Sequence, residues 1–371
     1  MGQRGDELAR RQRRRRRYRT LENLRSFTTV KRLAHCGHSV SEEGAALVRG
    51  DDGVAHWRGV QRCGSVHLCP VCAPKIRQAR ADELDELCRR HEAAGGGLAL
   101  VTYTVPHRRG ERLADVLRWL DGGRRHAQGG RGWMALRDEL GVVGTVTALE
   151  VTHGRNGWHP HSHVLVLTRR PLTVGQERSL GRDLYGRFDT GARQAGSRRV
   201  SKRIGVDVRR IVRAGAGGVG GYVTGSVEWG IGPELARSDV KHGRHGSRSM
   251  AQLLGDLFAH GEAADRALWW EFEQAIPGRR AVSWSRGLRS YAQLHYSTDE
   301  ELAQADAGPG TVVWIFSPLQ WSRVRGRCAE LLDAAEVGGS AAVSDWLRTR
   351  GELASTEWVS PEGRPEGESG A

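Results

Sequence analysis

GTVTALEVTHGRNGWHPHSHVLVLT, residues 144–168, reads as a strand, a tight turn and a second strand. Val143 to Thr152 is rich in β-branched and apolar residues, and Ser162 to Leu167 resumes that composition. Between them, Asn156-Gly157 suits a type I′ turn, which needs positive φ at both central positions. A two-residue turn centred there predicts that Arg155 faces Trp158, Thr152 faces His161 and Glu150 faces His163. Side chains at i and i+2 share a strand face, so His159, His161 and His163 project from one side. Directly opposed Cβ atoms lie roughly 4.5–5.5 Å apart. Two imidazoles and a carboxylate at that separation can hold one divalent metal ion. Val164 and Val166 mark the other face as buried, while Leu165 and Leu167 make the histidine face apolar at its far end. A merely solvated strand face does not account for a His-x-His pair in so apolar a strand.

The flanking segments supply a fold. LALVTYTV (98–105) is β-rich, and Leu113, Val116, Leu117 and Leu120 follow at helical spacing. A short helix, 133–140, leads into the hairpin. After it, 173–188 reads as a helix through Leu180, Leu184 and Phe188, and IGVDVRRIV (204–212) as a strand. The order β-α-β-β-α-β is that of the split βαβ, or ferredoxin-like, α+β fold with an antiparallel sheet. Its first and third strands are central neighbours, which puts the histidines mid-sheet, expected on an open face with helices behind. A glycine-rich connection, RAGAGGVGGYVTGSVEWG (213–230), can bring Tyr222 over that face. A tyrosine is a weak nucleophile at its ordinary pKa and becomes useful where a metal polarises the group under attack.

The chain has 371 residues and a formal charge of +14, and only four of its 57 basic residues are lysines. Its pI is about 10.2. So basic a chain most often meets a polyanion, nucleic acid first, and arginine makes bidentate phosphate contacts. No apolar run reaches membrane-spanning length and no signal peptide is evident, so a cytoplasmic protein without a membrane partner is expected. Six cysteines, four of them clustered, fit a metal site better than a disulfide framework. Cys36, Cys63, Cys69 and Cys72 can close a tetrahedral structural zinc site, with His35, His38 or His67 able to replace one thiolate. This segment has too few large apolar residues to fold unaided. Cys88 and Cys328 sit among leucines and read as core.

Residues 1–24 carry RRQRRRRRYR at 10–19 and are expected to be a basic, disordered tail, since such a block repels itself. Residues 25–96 form the cysteine segment and a helix (74–92), and 97–230 the catalytic domain. Residues 231–300 form a helical extension, where Trp269, Trp270 and Trp284 lie among arginines in the composition of single-strand binding surfaces. An acidic linker (301–309), a C-terminal subdomain (310–358) and a disordered tail (359–371) complete the chain. The candidate DNA contacts are Arg209, Arg210, Arg237, Lys241, Arg279, Arg280 and Arg286.

At EVTHGRNGWHPHSHVLV the sequence resembles the rolling-circle plasmid replication initiators of the HUH endonuclease superfamily, in their actinobacterial-plasmid form. His161-Ser162-His163 stands at the His-hydrophobic-His motif, with a serine in the middle. CGSVHLCPVCAPKI looks like the cysteine-rich segment of that group, and LVTYTVPH (100–107) like its first motif. ELARSDVKHGR, LWWEFEQAIPGRRAVSWSRGLR and LLDAAEVGGSAAV look like downstream blocks, so the likeness spans roughly 30–345. It implies that His161 and His163, with Glu150 as the proposed third ligand, hold Mg²⁺ or Mn²⁺. It implies that Tyr222 attacks a DNA phosphate, giving a 5′-phosphotyrosyl link and a 3′-OH primer, with host helicase and polymerase as partners. Besides Ser162, two further departures stand out. Tyr222-Val223-Thr224-Gly225 lacks the lysine of Y-x-x-K, and Gly218 occupies a position where many relatives carry a glutamate. A transposase or relaxase of the same superfamily, and a non-catalytic zinc-containing DNA-binding regulator, are the competing readings.

Overall fold

The structure, a computed structural model, describes residues 2–212, 231–236, 246–305 and 308–352. The chain begins with α1 (Gly2–Arg25), α2 (Lys31–Ala34), β1 (Ala45–Gly50), β2 (Ala55–Arg58), α3 (Cys72–Ala93) and β3 (Gly97–Thr104). Next come α4 (Leu113–Ala127), α5 (Gly130–Leu140), β4 (Val142–Gly154), β5 (Gly157–Thr168), α6 (Val174–Gln194) and β6 (Val206–Ile211). Then follow α7 (Ile231–Ala236), β7 (Arg248–Ser249), α8 (Met250–His260), α9 (Ala263–Ala275), β8 (Val282–Trp284) and α10 (Leu288–Tyr291). The described chain closes with α11 (Asp299–Gln304), β9 (Gly310–Phe316), α12 (Pro318–Val324) and α13 (Cys328–Thr349). It is α+β with antiparallel sheets and a mainly helical C-terminal region.

Ala73–Ser297 makes one unit. Its sheet runs β6-β3-β5-β4-β7, with β8 also paired to β4, and every pairing is antiparallel. The four strands β3, β4, β5 and β6 thus take the expected split βαβ order, with β3 and β5 in the middle. Alternation explains the packing. Val101, Tyr103, Val164 and Val166 point to one face, against Val116 and Leu120 of α4 and Leu180, Leu184 and Phe188 of α6. Leu98, Val146, Leu165 and Leu167 point to the other, against Ala81, Leu84, Leu87 and Cys88 of α3. The sequence predicts an open histidine-bearing face, but the face is not open along its length. Its leucine half is roofed by α3, because Leu165 and Leu167 must be buried too.

The hairpin register also differs. Gly154 pairs with Gly157, Thr152 with His159, Glu150 with His161 and Ala148 with His163. The turn lies on Arg155-Asn156, neither of which has positive φ, and Gly157 alone takes the left-handed conformation at φ +89°. That is the pattern of a turn closed by a left-handed glycine, the other common use of Asn-Gly. Pairing moves by two residues, an even number, so no side chain changes face.

The second unit joins residues up to Cys72 with those from Thr298 onward. The expectation of separate N- and C-terminal domains fails here, because β9 pairs with β1 in the sheet β2-β1-β9. Leu47, Trp314, Phe316, Trp321 and Leu331 form its core. The expected acidic linker holds α11, begun by a capping box between Thr298 and Glu301. The expected disordered tail is α1. Leu21 and Leu24 are buried, and two buried carboxylates on α13 neutralise one side of its arginine run. Arg14 bridges Glu336 (2.6 Å) and Asp333, Arg11 (3.2 Å) and Arg10 (3.3 Å) reach Glu336, and Arg15 pairs with Asp333.

Candidate metal centres

Thr102 and Thr104 stand directly across from His163 and His161 in the β3–β5 ladder. Their hydroxyls lie 3.1 Å from His163 Nδ1 and 3.0 Å from His161 Nδ1. When each Nδ1–H donates to its threonine oxygen, Nε2 keeps the lone pair that a cation takes, and the ring is fixed in orientation. His163 Nε2 lies 3.0 Å from Glu150 Oε2. That contact is diagonal across the ladder, since Glu150 is paired with His161, and diagonal neighbours are within reach of long side chains. Of the three residues named from sequence, His163 and Glu150 are in contact and His161 lies beside them on the same face, with His161 and His163 ring centroids 5.8 Å apart.

Two further imidazoles extend the row. His159 lies 4.0 Å from His161, centroid to centroid, and His107 lies 4.5 Å from His159. Burial, reinforced by His159 and His163, pushes His161 down to about 3. Burial and His107 push His159 down to about 4. Both rings are thus neutral at pH 7, the state in which an imidazole ligates a cation. Sequence reasoning passed over Thr102, Thr104 and His107. The signal was present: Thr-x-Thr on a strand adjacent to His-x-His must meet it residue for residue.

The cysteine site is closed. Among the described residues, Cys36, Cys63, Cys69 and Cys72 are the one set of three or more His, Cys, Asp or Glu whose ligand atoms all lie within 4.8 Å of one another. Three of the Sγ–Sγ separations are 3.5, 3.7 and 3.8 Å. These are too long for disulfides, and a tetrahedron with Zn–S bonds of about 2.3 Å has edges of about 3.8 Å. Backbone N–H groups support the sulfurs, with Cys72 N 3.3 Å from Cys69 Sγ and Ser65 N 3.5 Å from Cys63 Sγ. Hydrogen bonding within the cluster, above all from Cys63, holds the Cys36 thiol far below its ordinary pKa. All four are buried, and the set can hold a structural metal such as zinc without help from His35, His38 or His67. Cys88 and Cys328 are buried core residues, as expected.

The remaining candidates scatter. Tyr222, Arg237 and Lys241 lie outside the described residues. Arg209 is paired with Asp207 (2.7 Å), Arg210 with Glu177 (2.7 Å) and Arg279 with Asp121, whereas Arg280 and Arg286 are exposed. Arg209 and Arg210 sit on β6, at one edge of the sheet; Arg279, Arg280 and Arg286 flank β8, at the other. Trp269 is core, Trp270 is exposed and Trp284 lies under the Arg289 guanidinium at 4.3 Å. The other tyrosines are engaged elsewhere. Tyr103 is buried against Phe188, and the Tyr185 hydroxyl donates to Val200 O (3.0 Å). Tyr291 bonds His91 (2.8 Å), while Tyr18 and Tyr296 lie beneath Arg62 and Arg289.

Together these features define an α+β protein with a closed, all-sulfur candidate metal centre and, on its larger sheet, a face that carries His161, His163 and Glu150. The chain is 33% identical to "Protein rep" of Streptomyces lividans, covering 68% of this chain and 69% of that protein. It belongs to that Rep protein family. It is also 27% identical to a "Neomycin resistance protein" of Streptomyces cyanogenus, over 64% of this chain and 70% of that one. No family profile and no solved structure matches. Among the described residues, no helix is long and apolar enough to cross a membrane.

Proposed function

We propose that this protein initiates rolling-circle replication of a plasmid by nicking one DNA strand at the origin, as an endonuclease of the HUH superfamily. The observation that carries the reading is the Glu150–His163 contact beside His161, with both imidazoles anchored by threonines on a neighbouring strand, in a chain of the Rep family. His161, His163 and Glu150 are the residues that would hold Mg²⁺ or Mn²⁺. Imidazole ligation favours Mn²⁺ on ligand type. An ion held there would offset charge that develops on a non-bridging oxygen of the scissile phosphate.

The remaining chemistry belongs to the protein. The Tyr222 oxygen attacks phosphorus in line, the bond to the 3′-oxygen breaks, and that oxygen takes a proton to leave a 3′-OH primer. The 5′-phosphate stays on the tyrosine, and the same exchange in reverse rejoins the strand. Phosphoryl transfer asks for positioning and charge rather than covalent complexity. The assignment of Tyr222 is supported by the placement of the other five tyrosines in different contacts. In the same reading the four cysteines hold one structural zinc, and the protein works on DNA alongside host helicase and polymerase.

The test is incubation of the full chain with single-stranded origin DNA and Mn²⁺, read on a denaturing gel. The wild type is expected to form a covalent adduct, and Tyr222→Phe and His161→Ala/His163→Ala to form none. DNA binding without any adduct, over every candidate origin and both metals, favours instead the non-catalytic regulator.

A further inference from the structure

Eight arginines lie between Arg10 and Arg19, and α1 sorts all but Arg17 into two sets. Arg10, Arg11, Arg14 and Arg15 meet Asp333 and Glu336, as described. Arg13, Arg16 and Arg19 are exposed, at i, i+3 and i+6, and make no hydrogen bond or ion pair among the described residues. Folding explains the first set: Asp333 and Glu336 are each 5% exposed, and buried carboxylates need partners. It does not explain the second. Like charges three or four residues apart oppose helix formation, so any neutral helix former at 13, 16 and 19 would serve the fold better.

We propose that this outer stripe is a nucleic-acid contact surface that grips the sugar–phosphate backbone without reading sequence. The inference rests on the proposed DNA substrate. At a rise of about 1.5 Å per residue the stripe spans about 9 Å. Duplex DNA presents one phosphate charge per about 1.7 Å of axis, so each guanidinium has phosphates within reach. The carboxylates of α13 fix the helix, so the outer arginines are pre-positioned, which lowers the entropic cost of binding. Between Gln12 and Arg19 the outer face carries no apolar side chain, and a membrane-surface helix needs one.

The test uses the full-length protein and a random-sequence 30-base-pair duplex, with affinity followed by fluorescence anisotropy over a salt series. Each phosphate contact contributes about 0.9 to the slope of log K against log salt. Arg13→Gln/Arg16→Gln/Arg19→Gln is expected to make the slope shallower by about 2.7 and to weaken binding at least 10-fold, with an unchanged circular dichroism spectrum. The triple lysine variant is expected to keep the wild-type slope, since charge alone is at stake. A glutamine triple with the wild-type slope overturns the proposal while leaving the DNA substrate intact. A wild type that binds neither this duplex nor origin DNA overturns both. Binding to phosphatidylglycerol vesicles that the glutamine triple loses, with its DNA slope unchanged, overturns it in favour of a membrane.

Discussion

Thr102 and Thr104 decide whether the two histidines offer the nitrogen that a cation needs. Each hydroxyl accepts from an Nδ1–H only if the ring is turned with Nε2 outward, toward Glu150 in the case of His163. Loss of such an orienting partner typically lowers metal affinity 10–100-fold. Thr102→Val and Thr104→Val are therefore expected to weaken Mn²⁺ binding by at least about 10-fold, measured by titration calorimetry, with little change in folding. Serine at either position keeps the oxygen and should restore affinity. Equal affinity for the valine and threonine forms would show that the hydroxyls do not orient the rings. His107 and His159 continue the row; His159 is placed there by its i, i+2 spacing, whereas nothing in the sequence identifies His107. One lies on the segment after β3 and the other on β5, and only the sheet brings them together.

The hairpin shows how far an element can be read locally. Asn-Gly is compatible with a type I′ turn and with a turn closed by a left-handed glycine, and residues 154–158 alone do not choose. The shared face of Glu150, His161 and His163 is kept despite the misplaced turn, because an even shift preserves the faces, and Glu150 reaches His163 diagonally. The two turns make opposite demands on Asn156. With negative φ at Asn156, Asn156→Ala should cost under about 0.5 kcal/mol. Gly157→Ala should cost about 1–2 kcal/mol from its φ of +89°. It would cost more because a Cβ there would sit 3.0 Å from Arg108 O. Urea midpoints of the two variants settle the turn: a large loss at Asn156 would restore the expected type I′ geometry. For α1 the local signal misled in the other direction. A run of arginines repels itself, and the compensating Asp333 lies 319 residues away from Arg14 in the chain.

Across the whole molecule, the β-α-β-β-α-β order was legible because each element carries its own periodicity. The pairing of β9 with β1 was not, since no local pattern records a strand partner more than 250 residues distant. The unit so formed also holds the four cysteines, and structural zinc contributes folding free energy directly. One zinc per chain is expected by mass spectrometry of the purified protein. Cys69→Ser should lose that zinc, and proteolysis should then cleave first within residues 1–72 or beyond 298. Retention of full protease resistance in the zinc-free variant would mean that the core of Trp314, Phe316 and Trp321 suffices alone. The central claim, that this basic two-unit chain is a tyrosine-dependent nicking enzyme, is tested most directly by peptide mapping of the protein–DNA adduct. The account predicts nucleotide mass on the peptide containing Tyr222, requiring Mn²⁺ or Mg²⁺ and intact His161 and His163. Attachment to any other residue, or an adduct that forms equally well in the histidine variants, would contradict it.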